Sequence, residues 1–229
     1  MENNQESWQL NQIDGEEIAE LIMVLRKSLG LEFKADAFLH ASTFGDLCDV
    51  FERHISYEDK AGCTSQQAFY KLRKAILETS EVAKEDITAS TPMELLFPRK
   101  NRRRQVRLML QQMGLGVKLL TCKSWIKDIA VGGMLLSFIV LFFNFKRGGV
   151  GITFFLAGLL LAEKWGKEFD QEITTIGKLV ELLVSEHYIK VRRYPNTVNR
   201  AEIVPLITKV FQQKLSMDSA NLTGDTSLI

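Results

Sequence analysis

The residue types that could do chemistry in this chain are few and scattered. Ser124-Trp125-Ile126-Lys127 has the Ser-x-x-Lys spacing of a lysine-activated serine nucleophile. Its companion motifs are absent, and Lys127 stands at the edge of an apolar run, which is reason enough for a lysine there. His40, His54 and His187 are far apart and follow no ligand spacing, so no metal is expected. Cys48, Cys63 and Cys122 are odd in number and follow no redox spacing; this usage suits a reducing compartment. Gly148-Gly149-Val150-Gly151 has the glycines of a phosphate-cradling loop, but no strand pattern precedes it. Catalytic, cofactor-binding and metal residues are therefore all expected to be lacking, and the chain reads as a non-enzyme.

One cluster is strongly charged: Arg99, Lys100, Arg102, Arg103, Arg104 and Arg107. Nucleic acid is one reading, since basic helices neutralise phosphates. Against it, aromatic residues for base stacking are not interleaved, and the formal net charge of the chain is only +1. Anionic lipid headgroups are a second reading, because a polybasic segment near a membrane span gains roughly 1 kcal/mol per cation at an anionic surface. Docking of an acidic protein is a third, and a plain solvated face a fourth.

The elements that must position this cluster are set by an apolar stretch. Ile129–Phe145 carries no charge, nor does Val150–Ala162; Lys146-Arg147-Gly148-Gly149 between them reads as a tight turn. A bilayer core takes about 20 apolar helical residues, or about 17 at the short end. The first arm meets that length. The second does so once Glu163, Lys164 and Trp165 reach the interface. Gly132, Gly133 and Gly158 would let the arms approach closely. A buried helical hairpin in a soluble core is the competing reading for the pair, since runs of about 10–14 apolar residues are often that. Lys118, Lys123 and Lys127 precede the arms and Lys164, Lys167 and Lys178 follow them, against Lys146 and Arg147 in the turn. This bias predicts a two-pass integral membrane protein with both termini cytoplasmic. The acidic N-terminal stretch does not read as a signal peptide.

Around the arms the pattern is helical. Ile18, Leu21, Ile22, Leu25 and Leu29 form one stripe, with Asp14 as a cap and Gly30 as a stop. Ser42 or Thr43 caps a second helix with Phe44, Leu47, Cys48 and Phe51 on one face. A third helix over 65–79 turns Phe69, Leu72, Ala75 and Ile76 inward. Val82, Ile87, Met93, Leu95 and Leu96 anchor the connection that follows, and a basic helix starts after Pro98. Phrases recur. Thr43, Gly45 and Leu47 match Thr175, Gly177 and Leu179. Thr64 with Phe69–Leu77 matches Thr197 with Ile203–Phe211. Glu85–Met93 matches Ala220–Leu228, and Leu25–Phe33 matches Met109–Val117. One set of elements occurs twice, and the apolar arms interrupt the second.

The repeated unit resembles the acyl carrier protein family, read from an unusual starting point. Asp14-Gly15-Glu16-Glu17-Ile18-Ala19-Glu20-Leu21 is similar to the start of that family's second helix, and Thr43-Phe44-Gly45-Asp46-Leu47 to the start of its last. The resemblance implies an all-α fold: two small acyl-carrier-like helical bundles, split and interleaved in sequence, with a transmembrane helical hairpin. Residues 14–57 form an N-terminal helical half-domain, which 197–229 would complete. Residues 64–122 form a module bearing the basic helix, 128–166 the hairpin, 170–190 the last helix of that module, and 197–229 a C-terminal helix and loop. The family's serine, which takes a phosphopantetheine arm, would stand at Gly15 in one copy and near Arg99 in the other. Neither has a hydroxyl to modify, so no cofactor is expected. The expected role is a non-enzymatic membrane-anchored adaptor or scaffold, in lipid or envelope biosynthesis by family resemblance. The alternatives are a genuine acyl or peptidyl carrier, modified at another serine, and an accessory subunit of a membrane enzyme complex.

Overall fold

Helix-stop glycines and threonine caps set the local structure. The computed structural model describes residues 15–34, 36–164, 166–215 and 222–227. Asp14 and Trp165, expected as a cap and a belt residue, lie outside them, as do the side chains of Glu163 and Lys164. The helices are α1 (Gly15–Leu29), α2 (Phe44–His54), α3 (Thr64–Thr79), α4 (Met93–Leu96), α5 (Arg102–Met113), α6 (Ser124–Phe143), α7 (Phe145–Lys164), α8 (Ile176–Val191) and α9 (Ile203–Lys214). Strand is confined, among the described residues, to two-residue pieces: β1 (Glu58–Asp59), β2 (Leu120–Thr121), β3 (Glu168–Phe169) and β4 (Thr197–Val198). Strand β1 pairs with β4 in parallel, and β2 with β3 antiparallel. The chain is mostly helical. It divides into a first unit, Met1–Lys71 with Val180–Ile229, and a second, Leu72–Leu179.

In the first unit, the apolar stripe of α1 and the inner face of α2 close on α9. Leu25, Leu29, Phe51, Ile203, Ile207 and Phe211 share one core and are fully buried. The Phe44 and Phe211 rings meet edge-on at 5.3 Å, an attractive geometry for aromatic pairs. Thr43 caps α2 through a reciprocal box: its hydroxyl accepts the Asp46 amide at 3.1 Å, and the Asp46 carboxylate accepts the Thr43 amide at 2.9 Å. These Thr43 bonds, then those from Ser42, hold the Asp46 carboxyl below its usual 3.8. Helix α8 kinks at His187, where φ is −143° and ψ 38°. The cause is Ser28. Its hydroxyl accepts the Tyr188 amide at 2.9 Å and reaches the Val184 carbonyl at 3.5 Å, so a side chain stands in the helical ladder.

In the second unit, the loop before α4 meets the start of α8. The Gly177 amide donates to Ala89 O at 2.7 Å, and the Ile176 amide to Thr91 O at 3.0 Å. The first unit contains the same joint, with Gly45 to Gly224 O at 2.8 Å and Phe44 to Thr226 O at 2.9 Å. Each loop is a threonine turn, with Thr88 on Thr91 and Thr223 on Thr226. A methyl group at Gly45 or Gly177 would come within 2.9 Å of the carbonyl it faces, so only glycine fits either joint. Both α1 and α5 end in left-handed glycines, Gly30 at φ 61° and Gly114 at φ 69°.

Several expectations need correction. The pairing of Thr64 with Thr197 and of Phe69 with Ile203 is out of register. Buried Ala68, Leu72, Ala75 and Ile76 occupy the spacing of buried Ile203, Ile207, Val210 and Phe211, so Phe69 is half-buried and Ala68 lies inward. Leu95 is 72% exposed because the single turn of α4 places it opposite Met93 and Leu96; Phe97, fully buried, is the anchor instead. The basic helix begins at Arg102, because the Asn101 amide first closes a turn on Pro98 O at 3.1 Å.

The break between α6 and α7 is also displaced. It falls at Asn144, and Lys146-Arg147-Gly148-Gly149 is already helical. Asn144 Oδ1 accepts the Arg147 amide at 3.2 Å and so caps α7. The two helices run back along each other. A side chain at Gly133 would strike the Phe155 ring, one at Gly151 the Ser137 side chain, and one at Gly148 the backbone of Leu141. Gly132 and Gly158, expected at this contact, have open space beside them.

Candidate functional site

The basic residues do not act as one patch. Arg102 is only 3% exposed. Its guanidinium donates to Phe97 O and Lys167 O, each at 2.8 Å, and to Glu94 at 3.4 Å. It also lies 3.6 Å from the Glu168 carboxylate and 4.8 Å from the Phe169 ring centre. Arg102 is thus a strut between the start of α5 and the strand that follows α7, and it leaves the expected surface set. Arg99 pairs with Glu168 at 2.5 Å. Lys100, Arg103, Arg104 and Arg107 are exposed.

The strut and the β2–β3 ladder together hold the feet of α6 and α7. Leu120 pairs with Phe169 and Thr121 with Glu168, just before α6 and just after α7. Arg102→Ala is expected to destabilise the second unit by about 2–3 kcal/mol, because carbonyls and a partly covered carboxylate lose their donor. The exposed control Arg104→Ala should cost under about 0.5 kcal/mol. The check is urea-dependent alkylation of buried Cys122; equal midpoints for the two variants would refute the strut.

Two exposed cations of α5 border a groove. It has a volume of about 410 Å³ and is lined by Arg103, Val106, Arg107, Leu110 and Gln111 on α5, and by Leu115 and Val117–Leu120 on the segment after it. Lys118 belongs to its rim, although sequence reading missed it as part of the basic set. The signal was available in outline: an exposed lysine alternating with apolar Val117 and Leu119, directly ahead of the apolar arm.

The first unit holds a second polar cluster, not anticipated from sequence. Arg192 is buried; it donates to Thr64 Oγ1 at 2.6 Å, Lys60 O at 2.7 Å and Thr197 Oγ1 at 3.2 Å. The Thr64 hydroxyl donates to Glu202 at 2.5 Å, and the Tyr188 hydroxyl donates to the same oxygen at 2.9 Å. Burial is the main cause that raises the Tyr188 phenol above its usual 10.0, so it stays a donor at neutral pH. A cavity of about 160 Å³ beside this cluster is lined by Thr64, Glu181, Tyr188, Glu202 and Lys209 among others. The donors and acceptors satisfy one another, and the arrangement is a brace.

Cys48 is buried, and its thiol is pushed up to about 12 by burial, then by Glu52 and Asp49. His54 Nδ1 contacts Val50 O at 2.8 Å on its own helix. Burial, then Lys190 and Lys27, lowers His187 below 6.5. Among the described residues no group of three His, Cys, Asp or Glu side chains could hold a metal. Ser124, in the Ser-x-x-Lys phrase, is exposed at the first turn of α6. No protein-family model matches the chain, and no curated protein or solved structure matches it.

Proposed function

We propose that α6 and α7 cross a bilayer, and that the chain works as a non-enzymatic, acyl-carrier-like adaptor or scaffold with its helical units in the cytoplasm. The observation that carries this reading is the exposure of the arms. Both helices are long and apolar enough to span, yet only 11% and 6% of those windows are buried. Phe142, Phe143, Phe145, Val150 and Phe154 are each at least 70% exposed. A core helix of a soluble protein hides such side chains, and a patch of this extent in water would drive aggregation. Lipid resolves the conflict, and a closed helical pair satisfies its own backbone there. The lysines flanking the pair outnumber the two cations near its tip, which favours cytoplasmic units.

The acyl-carrier-like part rests on element order. Read cyclically from α9, the first unit gives α9, threonine turn, α1, α2; α3, threonine turn, α5 and the start of α8 follow the same order, with α3 and α8 each crossing the unit boundary, after Lys71 and before Val180. Each last helix starts at a threonine, with the glycine two residues on set against the threonine turn. Where a carrier serine would stand, Gly15 is exposed and Arg99 is engaged with Glu168, which favours a role without a covalent arm. That role would be assembling partners at a membrane in lipid or envelope biosynthesis.

The test is fractionation of the full chain in cells. It should remain in membranes washed with alkaline carbonate. Exposed Cys63 should take up a membrane-impermeant maleimide only after the cells are permeabilised. Recovery in the soluble fraction would overturn the membrane reading, and labelling of intact cells would reverse the orientation. The intact mass should equal that of the polypeptide; a phosphopantetheine-sized adduct would replace the adaptor with a true carrier.

A further inference from the structure

The groove between α5 and the 115–120 segment has a composition that selects its occupant. Arg103, Arg107 and Lys118 are on its rim, and Gln111 is the remaining polar residue on α5. Val106, Leu110, Leu115, Val117, Leu119 and Leu120 supply apolar wall. No acidic side chain lines it. A ligand matching this surface has a negative head and an apolar body. The groove also ends close to the foot of the apolar pair, since its last lining residue, Leu120, is the first of β2 and α6 starts at Ser124. At most about 3.5 Å of chain per residue separates them, so Leu120 lies within about 14 Å of the first turn of α6.

We propose that this groove seats an anionic phospholipid of the host bilayer, with its phosphate among Arg103, Arg107 and Lys118 and the upper part of its chains along Val106, Leu110 and Val117. The inference rests on the membrane reading above and gives that site a ligand class. Arginine forks suit phosphate oxygens, and cations at an anionic leaflet add their attraction. The α5 helix is thereby fixed against the lipid surface at a site, beyond general attraction of a basic patch.

The experiment uses the full chain, extracted in a mild uncharged detergent with a mixture of phosphatidylglycerol and phosphatidylcholine, and native mass spectrometry of what stays bound. The wild type should retain phosphatidylglycerol over phosphatidylcholine about ten-fold or more. Arg103→Gln with Arg107→Gln and Lys118→Gln should bring the ratio to near parity. Gln111→Glu, a single change at an exposed lining position, should lower it several-fold while keeping every cation. Lys84→Gln, an exposed cation outside the groove, should leave it unchanged. Equal retention of both lipids by the wild type would overturn the proposal, as would an unchanged ratio in both groove variants. An equal loss in Lys84→Gln would do so too, by reducing the effect to net charge. Co-purification of an acidic protein lost only in the groove variants, with lipid retention unaltered, would assign the groove to that protein instead. If the chain stays in carbonate-washed membranes yet shows no lipid preference, the groove assignment alone fails; a soluble chain removes both readings.

Discussion

Removal of residues 203–229 should unfold α1 and α2 and leave the second unit helical. The deletion takes away Ile203, Leu206, Ile207, Val210 and Phe211, all buried in the first unit's core. Full burial of one such side chain is worth about 1.5–3 kcal/mol, so the five represent roughly 8–15 kcal/mol as an upper bound. That equals the whole stability of a typical domain, about 5–15 kcal/mol. Alkylation of Cys48 at mild alkaline pH reads the outcome. In the full chain this thiol is buried and pushed up to about 12. In an opened chain it returns to its usual 9.0, and its labelling rate should rise by roughly a thousand-fold, toward that of exposed Cys63. Cys122 should stay protected. A truncated chain with Cys48 still shielded would show that α1 and α2 hold together without α9.

The second large effect belongs to Arg192. Arg192→Ala should cost the first unit about 3 kcal/mol or more. The buried guanidinium is the common donor to Thr64, Thr197 and Lys60 O, and its loss leaves these acceptors without their donor. Arg192→Lys should recover less than half of that, because a single ammonium cannot span the fork that reaches three separate oxygens. Its exposed neighbour is the control: Arg193→Ala should cost under about 0.5 kcal/mol. Urea titration of Cys48 protection measures all three. A midpoint for Arg192→Ala matching that for Arg193→Ala would remove the brace from the account.

The helices were legible wherever apolar spacing and a capping residue agreed. The α2 segment is the plainest case, with Thr43 as cap and Phe44, Leu47, Cys48 and Phe51 all buried. The slip in α3 has a physical reason: Ala68 and Phe69 are both apolar, and spacing alone cannot say which faces in. The break at Asn144 was hidden because two glycines nearby give a stronger turn signal than one asparagine. Glycine beside helix-compatible residues is tolerated when a second helix packs on it, as Gly148 is packed on Leu141.

The site residues divide by how far their partners lie in sequence. Arg102 and Arg103 are indistinguishable as letters. One is buried because Lys167 O and Glu168 come to it from the far side of the apolar arms, which no local pattern encodes. Arg192 and Arg193 repeat the lesson, since Thr64 and Lys60 reach Arg192 across more than a hundred residues. Lys118 was visible as a cation but not as the third corner of a groove.

Because α9 closes the core that α1 and α2 begin, the ribosome makes the first part of that core long before the last. About 150 residues of translation separate them, roughly 7–30 s at ~5–20 residues per second. Through that interval the nascent N-terminal helices have an open greasy flank, while the two apolar helices α6 and α7 are made. The first unit therefore closes its core only after α6 and α7 have been made, and α1 and α2 need cover until α9, near the end of the chain, leaves the ribosome.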